Sequence, residues 1–197
     1  PVAARLEIRT TERWLAERRV AGWQAEAAAI EIRGFPVRYT RRLVAPMLAD
    51  PASGWAWQAP ELAIDRPRHA RLADAPTTVT WPAQQTLRRP DRDVEITAGA
   101  LRAELWRAGP QEIVTRAALT GEEIGIALRL EGDTLLWQAR SLNVLAVAAE
   151  EDAARIELTA RLRATEAADA AGERLPGPER VDVEARIRFD RPWGGAA

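Results

Sequence analysis

The side chains able to do chemistry are few and poorly grouped. Acidic residues cluster at Asp91 and Asp93, at Glu122 and Glu123, and at Glu150, Glu151 and Asp152. Carboxylates this close could hold a divalent cation or share a proton. Each group, however, falls at an expected turn or strand end beside arginines, where acids are ordinarily solvated. The one histidine, His69, follows Pro67 and Arg68 in an expected loop, and no spacing supplies it with a carboxylate partner. The chain has no cysteine, which removes a thiol nucleophile, a disulfide framework and a Cys/His zinc site. No G-x-S-x-G, H-E-x-x-H, Gly-rich phosphate loop or calcium-loop pattern occurs. These residues point to no catalytic group, no metal ligand set and no cofactor. Two arginine pairs remain, Arg41-Arg42 and Arg88-Arg89. Arg41 and Arg42 are the candidate phosphate or head-group pair, set against the ordinary reading of surface ion pairs.

The charges do not suggest a polyanionic partner. The chain carries 28 basic and 29 acidic residues, a formal net charge of −1, so no basic field is available to hold a nucleic acid. Every basic residue other than His69 is arginine, as the codon bias of a GC-rich genome would produce. With 197 residues, one domain is expected, and no apolar run reaches the roughly 18 residues that cross a bilayer as a helix.

The apolar pattern identifies the elements that must position any site. In Val2 to Val20 an apolar stripe at helical spacing includes Ile8 and Leu15, and Gly22 stands where a helix would stop. Residues 1–22 are therefore read as an N-terminal helix and 23–197 as one antiparallel β domain. From Trp23 onward the period becomes two. Ile156, Leu158, Ala160 and Leu162 alternate with charged and polar residues, as do Val181, Val183, Ala185 and Ile187. Such strands have one buried and one wet face. Prolines at positions 46, 51, 60, 67, 76, 82 and 90 divide the middle of the chain into what should be short, loop-flanked strands. Across Gly99 the apolar parity changes, from Val94 and Ile96 to Leu101, Ala103 and Leu105. An extra residue there, a bulge, would return them to one face. Glu166 to Pro178 reads as a long hairpin loop. About ten strands and one helix result. One helix cannot cover that much apolar sheet, so the expected fold is mainly β: a curved antiparallel sheet, as half-barrel, barrel or sandwich.

The segment Ile30-Glu31-Ile32-Arg33-Gly34-Phe35-Pro36-Val37-Arg38, with Leu43 to Ala49 and Trp55-Ala56-Trp57-Gln58-Ala59-Pro60-Glu61-Leu62, carries a resemblance over about the first half of the chain. It resembles an uncharacterised family of Gram-negative bacterial envelope proteins, a domain of unknown function, with an N-terminal membrane anchor and a periplasmic β-rich domain. It is less closely similar to the tubular and AsmA-like lipid-binding domains, in which a curved antiparallel sheet forms an apolar trough. The resemblance implies a soluble domain on the periplasmic face of the inner membrane. A start at Pro1 without methionine would fit a domain that follows its anchor.

Two functions of different class follow. One is a non-enzymatic envelope protein that binds or conducts an acyl chain of a phospholipid or other envelope lipid. Its candidate lining is Ile30, Ile32, Phe35, Trp55, Trp57, Leu62 and Ile64, with Phe35 buried at a Gly34-Phe35-Pro36 kink. The other is a periplasmic interaction or scaffold module with a closed core that meets an envelope protein through an edge strand. In the second, the same apolar residues and the tryptophans are simply core.

Overall fold

A computed structural model describes residues 2–34, 39–66, 75–90, 92–108, 113–130, 133–149, 152–168, 173–175 and 179–188. Phe35, Pro36 and His69 lie outside the described residues. The helix α1 (Val2–Val20) ends as its sequence requires. Gly22 takes a φ of 89°. Its N–H donates to the Arg19 carbonyl at 3.0 Å and the Trp23 N–H to that of Arg18 at 3.0 Å. This is a Schellman cap, and Arg18 and Arg19 add positive charge at the negative end of the helix dipole.

The remaining described elements form one antiparallel sheet that curls into a half-barrel. In its first part each line of strand is interrupted once. β1 (Gln24–Glu26) continues into β2 (Ala29–Arg33), and β3 (Tyr39–Val44) into β4 (Met47–Asp50). β5 (Trp55–Gln58) continues into β6 (Glu61–Arg66), β7 (Thr77–Trp81) into β8 (Gln84–Arg89), and β9 (Arg92–Thr97) into β10 (Ala100–Ala108). The longer β11 (Ile113–Leu130), β12 (Asp133–Ala149) and β13 (Asp152–Ala168) run unbroken, and β14 (Arg174–Leu175) and β15 (Arg180–Arg188) close the order. Neighbouring lines pair on both sides of the interruption: β2 with β3 and β1 with β4, β3 with β6 and β4 with β5, and so across the sheet. The topology is a meander of long strands creased across their middles.

The crease explains the prolines. Pro46, Pro60 and Pro82 sit between the two halves of their strands, where a residue without an N–H costs no regular ladder bond. Their neighbours bridge the gap instead: Ala45 N–H to the Pro60 carbonyl at 2.7 Å, Ala59 N–H to that of Pro46 at 3.2 Å, and Ala98 N–H to that of Ala83 at 2.9 Å. The expectation of short, loop-flanked strands is corrected here, because several of these prolines interrupt long strands without ending them. On the far side of the sheet, β11 and β12 pass the level of the crease as single strands.

The irregularity expected at Gly99 is one position of this crease. Leu101 pairs with Trp81 and Thr97 with Gln84, so three residues, Ala98 to Ala100, face two, Pro82 and Ala83. Toward β11 the register is continuous, Thr97 with Gly125 and Ala100 with Glu122. There the turn of phase is taken up by β11 itself, with Glu123 at φ 50°. Gly121 and Ile124 are both buried, and Glu122 and Glu123 are both exposed. Those two acids therefore lie within a strand at the crease, in place of the expected turn. Ala98, Ile124 and Ala139, each at most 4% exposed, form the core of the bend, with Leu101, Trp137 and Leu142 packed on it. Glu166 to Ala168 belong to β13, and Arg174 and Leu175 pair back onto Ala168 and Ala167, so the expected 166–178 loop is shorter than its composition suggests.

Candidate ligand-binding face

In an antiparallel ladder directly paired residues share a face. One such row runs from Ile32 through Arg41, Ile64, Val79, Ala103, Leu119 and Val144 to Ala160 and Val183. It crosses nearly the whole sheet, and Arg41 is the one charge in it. The row of Ile30, Leu43 and Leu62 lies beside it. The opposite face is mainly polar, with Leu136, Leu145 and Val147 exposed on it, and is laced with ion pairs such as Arg129–Glu95 at 3.2 Å and Arg102–Glu104 at 2.7 Å.

The helix lies on the apolar face over the first strands. Thr11 and Leu15 are 4% and 6% exposed. Beneath them a cavity of about 210 Å³ is lined by Thr11, Trp14 and Leu15 from α1 and by Leu43, Leu48, Trp57, Leu62 and Ile64 from the sheet. A second cavity, of about 230 Å³, adjoins it through Arg41 and Ile64, which line both. Glu7 of α1 reaches into the second cavity and pairs with Arg41 at 2.5 Å, the two side chains only 12% and 20% exposed. Burial is the main cause, and the charge of Arg66 a lesser one, that holds the Arg41 pKa below the usual arginine range.

The structure brings most of the sequence candidates to this face and separates others. Trp57, Leu62 and Ile64 line the cavity under α1, and Ile32 lines the second. Ile30 stands in the Leu43 row. Trp57 has its N–H satisfied by Gln85 Oε1 at 3.0 Å. Trp55 packs edge-on against Trp23, ring centres 5.3 Å apart, at the C-terminal end of α1. Arg41 and Arg42, being adjacent in a strand, point to opposite faces. Arg42 bonds Glu61 and, at 3.4 Å, Glu31 on the polar side, and the Glu61 contact is the main reason its pKa is raised. The two arginines therefore cannot grip one phosphate together.

Sequence reasoning missed Glu7, Tyr39, Arg66, Thr77 and Arg107, which complete the second cavity. The signal was present in the period of two: Tyr39 precedes Arg41 by two, Arg66 follows Ile64 by two, and Arg107 follows Leu105 by two. Among the described residues no cluster of three or more His, Cys, Asp or Glu could hold a metal ion, and no helix is long and apolar enough to cross a membrane.

Compared with known families, residues 2–197 match the model of DUF2125, described as an uncharacterised protein conserved in bacteria. The chain belongs to the DUF2125 family. The match spans almost the whole chain, whereas the residues that carry the resemblance lie in its first half. No curated protein and no solved structure matches it significantly.

Proposed function

We propose that this DUF2125 protein is a non-enzymatic component of the bacterial envelope that holds or conducts a lipid acyl chain along its curled sheet. The observation that carries this reading is the apolar row from Ile32 to Val183, which α1 covers at one end only. At the other end Val183 and Ile187 are 44% and 39% exposed. Isolated apolar side chains at a surface need no explanation, but a continuous curved face of them is the geometry of a lipid trough. Each methylene buried there would contribute about 0.8 kcal/mol. The exposure of Val183 and Ile187 also favours a trough over the closed-core interaction module. Placement at the periplasmic side of the inner membrane, behind an anchor, is part of the proposal and rests on the family resemblance.

Native mass spectrometry of protein taken directly from a bacterial host tests for co-purified lipid. Ile64→Glu, placed where the two cavities meet, should remain folded by circular dichroism and lose the lipid. A folded variant that keeps its lipid, or an unfolded one, counts against the trough.

A further inference from the structure

The two outer edges of the sheet are finished differently. At one, β2 is five residues long, and α1 packs against it and against β1. At the other, β15 runs for nine residues in unbroken register on β13, and no described strand pairs with its outer side. An open edge is a template for another strand, and proteins commonly block one with a proline, a bulge or a charge pointing inward. β15 has no proline, no glycine and no bulge. Its positions on the inner face, Val181, Val183, Ala185 and Ile187, are all apolar.

The alternate positions carry a charge pattern that selects a partner. They read Arg180, Asp182, Glu184, Arg186 and Arg188. Suppose β15 pairs antiparallel with a second β15 about a two-fold axis at Ala185. Asp182 then stands opposite Arg188, Glu184 opposite Arg186 and Val183 opposite Ile187, each pair occurring twice. Moving the axis by one residue, to Glu184 or to Arg186, sets that residue against its own copy, a like-charge pair. The arginines are free to turn toward a second copy. Arg186 reaches Glu157 at 3.7 Å and Arg188 reaches Asp152 at 3.4 Å, with side chains 75% and 80% exposed.

We propose that β15 is a dimerisation edge, through which two copies of this chain join antiparallel about a two-fold axis at Ala185 into one continuous sheet. The contact uses the same strand of both copies, so it closes at two. Directly paired residues share a face, so the apolar row that ends at Val183 meets Ile187 of the second copy. The inference stands apart from the lipid reading, since it concerns the edge and not what lies on the face.

Sedimentation of the full chain over a range of concentrations should show a monomer–dimer equilibrium. Glu184→Arg and Arg186→Glu, each confirmed folded by circular dichroism, should each weaken the dimer at least about tenfold, because two opposite-charge pairs become like-charge pairs. An equimolar mixture of the two variants should restore it, since every reversed charge in the mixed dimer again meets its opposite. A second measurement does not depend on those variants. The chain has no cysteine, and Cα atoms directly opposite in an antiparallel pair lie about 4.5 to 5.5 Å apart, within reach of a disulfide. Ala185→Cys should therefore cross-link under mild oxidation, and Val181→Cys, four positions from the axis, should not. A monomer at every concentration, a dimer unmoved by the charge reversals, equal cross-linking by the two cysteine variants, or open-ended larger assemblies would each overturn the two-fold edge.

Discussion

The two ends of the apolar face share a sequence pattern and differ in what lies on them. Under α1, Leu43 is 5% exposed and Leu15 6%, while on β15 Val183 is 44% exposed and Ile187 39%. Alternation alone would assign all four to a core. The difference lies in the cover: the N-terminal helix packs against β1 and β2, and nothing among the described residues reaches the far strands. Apolar alternation thus marks the inner face, and only the covered part of that face can contribute full burial energy to folding.

The largest expected effect is a charge placed at each end. Leu43→Asp would bury a carboxylate without a partner and should cost about 4 kcal/mol or more. Val183→Asp, on the bare end, should cost less than about 1 kcal/mol. Urea denaturation of both decides, and equal losses would mean that the far end is covered too. Next comes the helix itself. Leu15→Ala should destabilise by about 2 to 5 kcal/mol, as removal of a packed aliphatic side chain does, and Ile187→Ala far less.

Glu7→Gln should cost about 1 to 3 kcal/mol, because it leaves the mostly buried Arg41 without its counter-charge. Glu61→Gln, which breaks a solvent-exposed pair with Arg42, should leave the denaturation midpoint unmoved. A double-mutant cycle with Arg41→Met isolates the buried pair.

Smaller effects sharpen the account of the crease that both ends share. Ala45 and Glu123 take φ values of 46° and 50°, a region that costs side chains about 1 to 2 kcal/mol. Ala45→Gly and Glu123→Gly should each stabilise by up to about 1 kcal/mol, once the entropy of the added glycine is subtracted. Gly99→Ala should be close to neutral. Its φ is not positive, and the added Cβ would meet Glu123 Cβ at 3.4 Å, an ordinary contact.

The least effect concerns acid. The Ser53 hydroxyl, and secondarily backbone N–H groups, hold the Asp50 carboxyl below its usual range. Its folded pKa lies below its unfolded one, so its contribution is present above about pH 4 and lost as pH falls through the folded value. NMR titration of Asp50 should show the depression, and Ser53→Ala should reduce it.

Much of this was legible in the chain. The helix and its end at Gly22 follow from an apolar stripe and a left-handed cap, both local. The change of parity across Gly99 marked a real irregularity for the same reason. The prolines misled, because the residue type that ends a strand in a loop can also sit in a crease whose ladder continues on either side. Strands β4 and β8 escaped notice. Met47 to Asp50 does not alternate, and Gln84 to Arg89 is nearly all polar. Pairing Arg41 with Arg42 neglected the alternation that reads every other strand here, while the more distant Arg66 and Arg107 line the same cavity as Arg41.

By itself the amino-acid order determined where side chains alternate, where the helix stops, and that an apolar face far larger than one helix could cover must exist. These are properties of neighbouring residues and of φ and ψ. The tertiary structure decided that the interruptions at Ala45-Pro46, Ala59-Pro60, Pro82-Ala83 and Ala98-Gly99 fall on one line. It also decided which end of the apolar face lies under α1, and that Glu7 meets Arg41 across 34 positions of chain. Those outcomes depend on register and curvature. Both are set by hydrogen-bonded partners distant in sequence, and no local pattern encodes them.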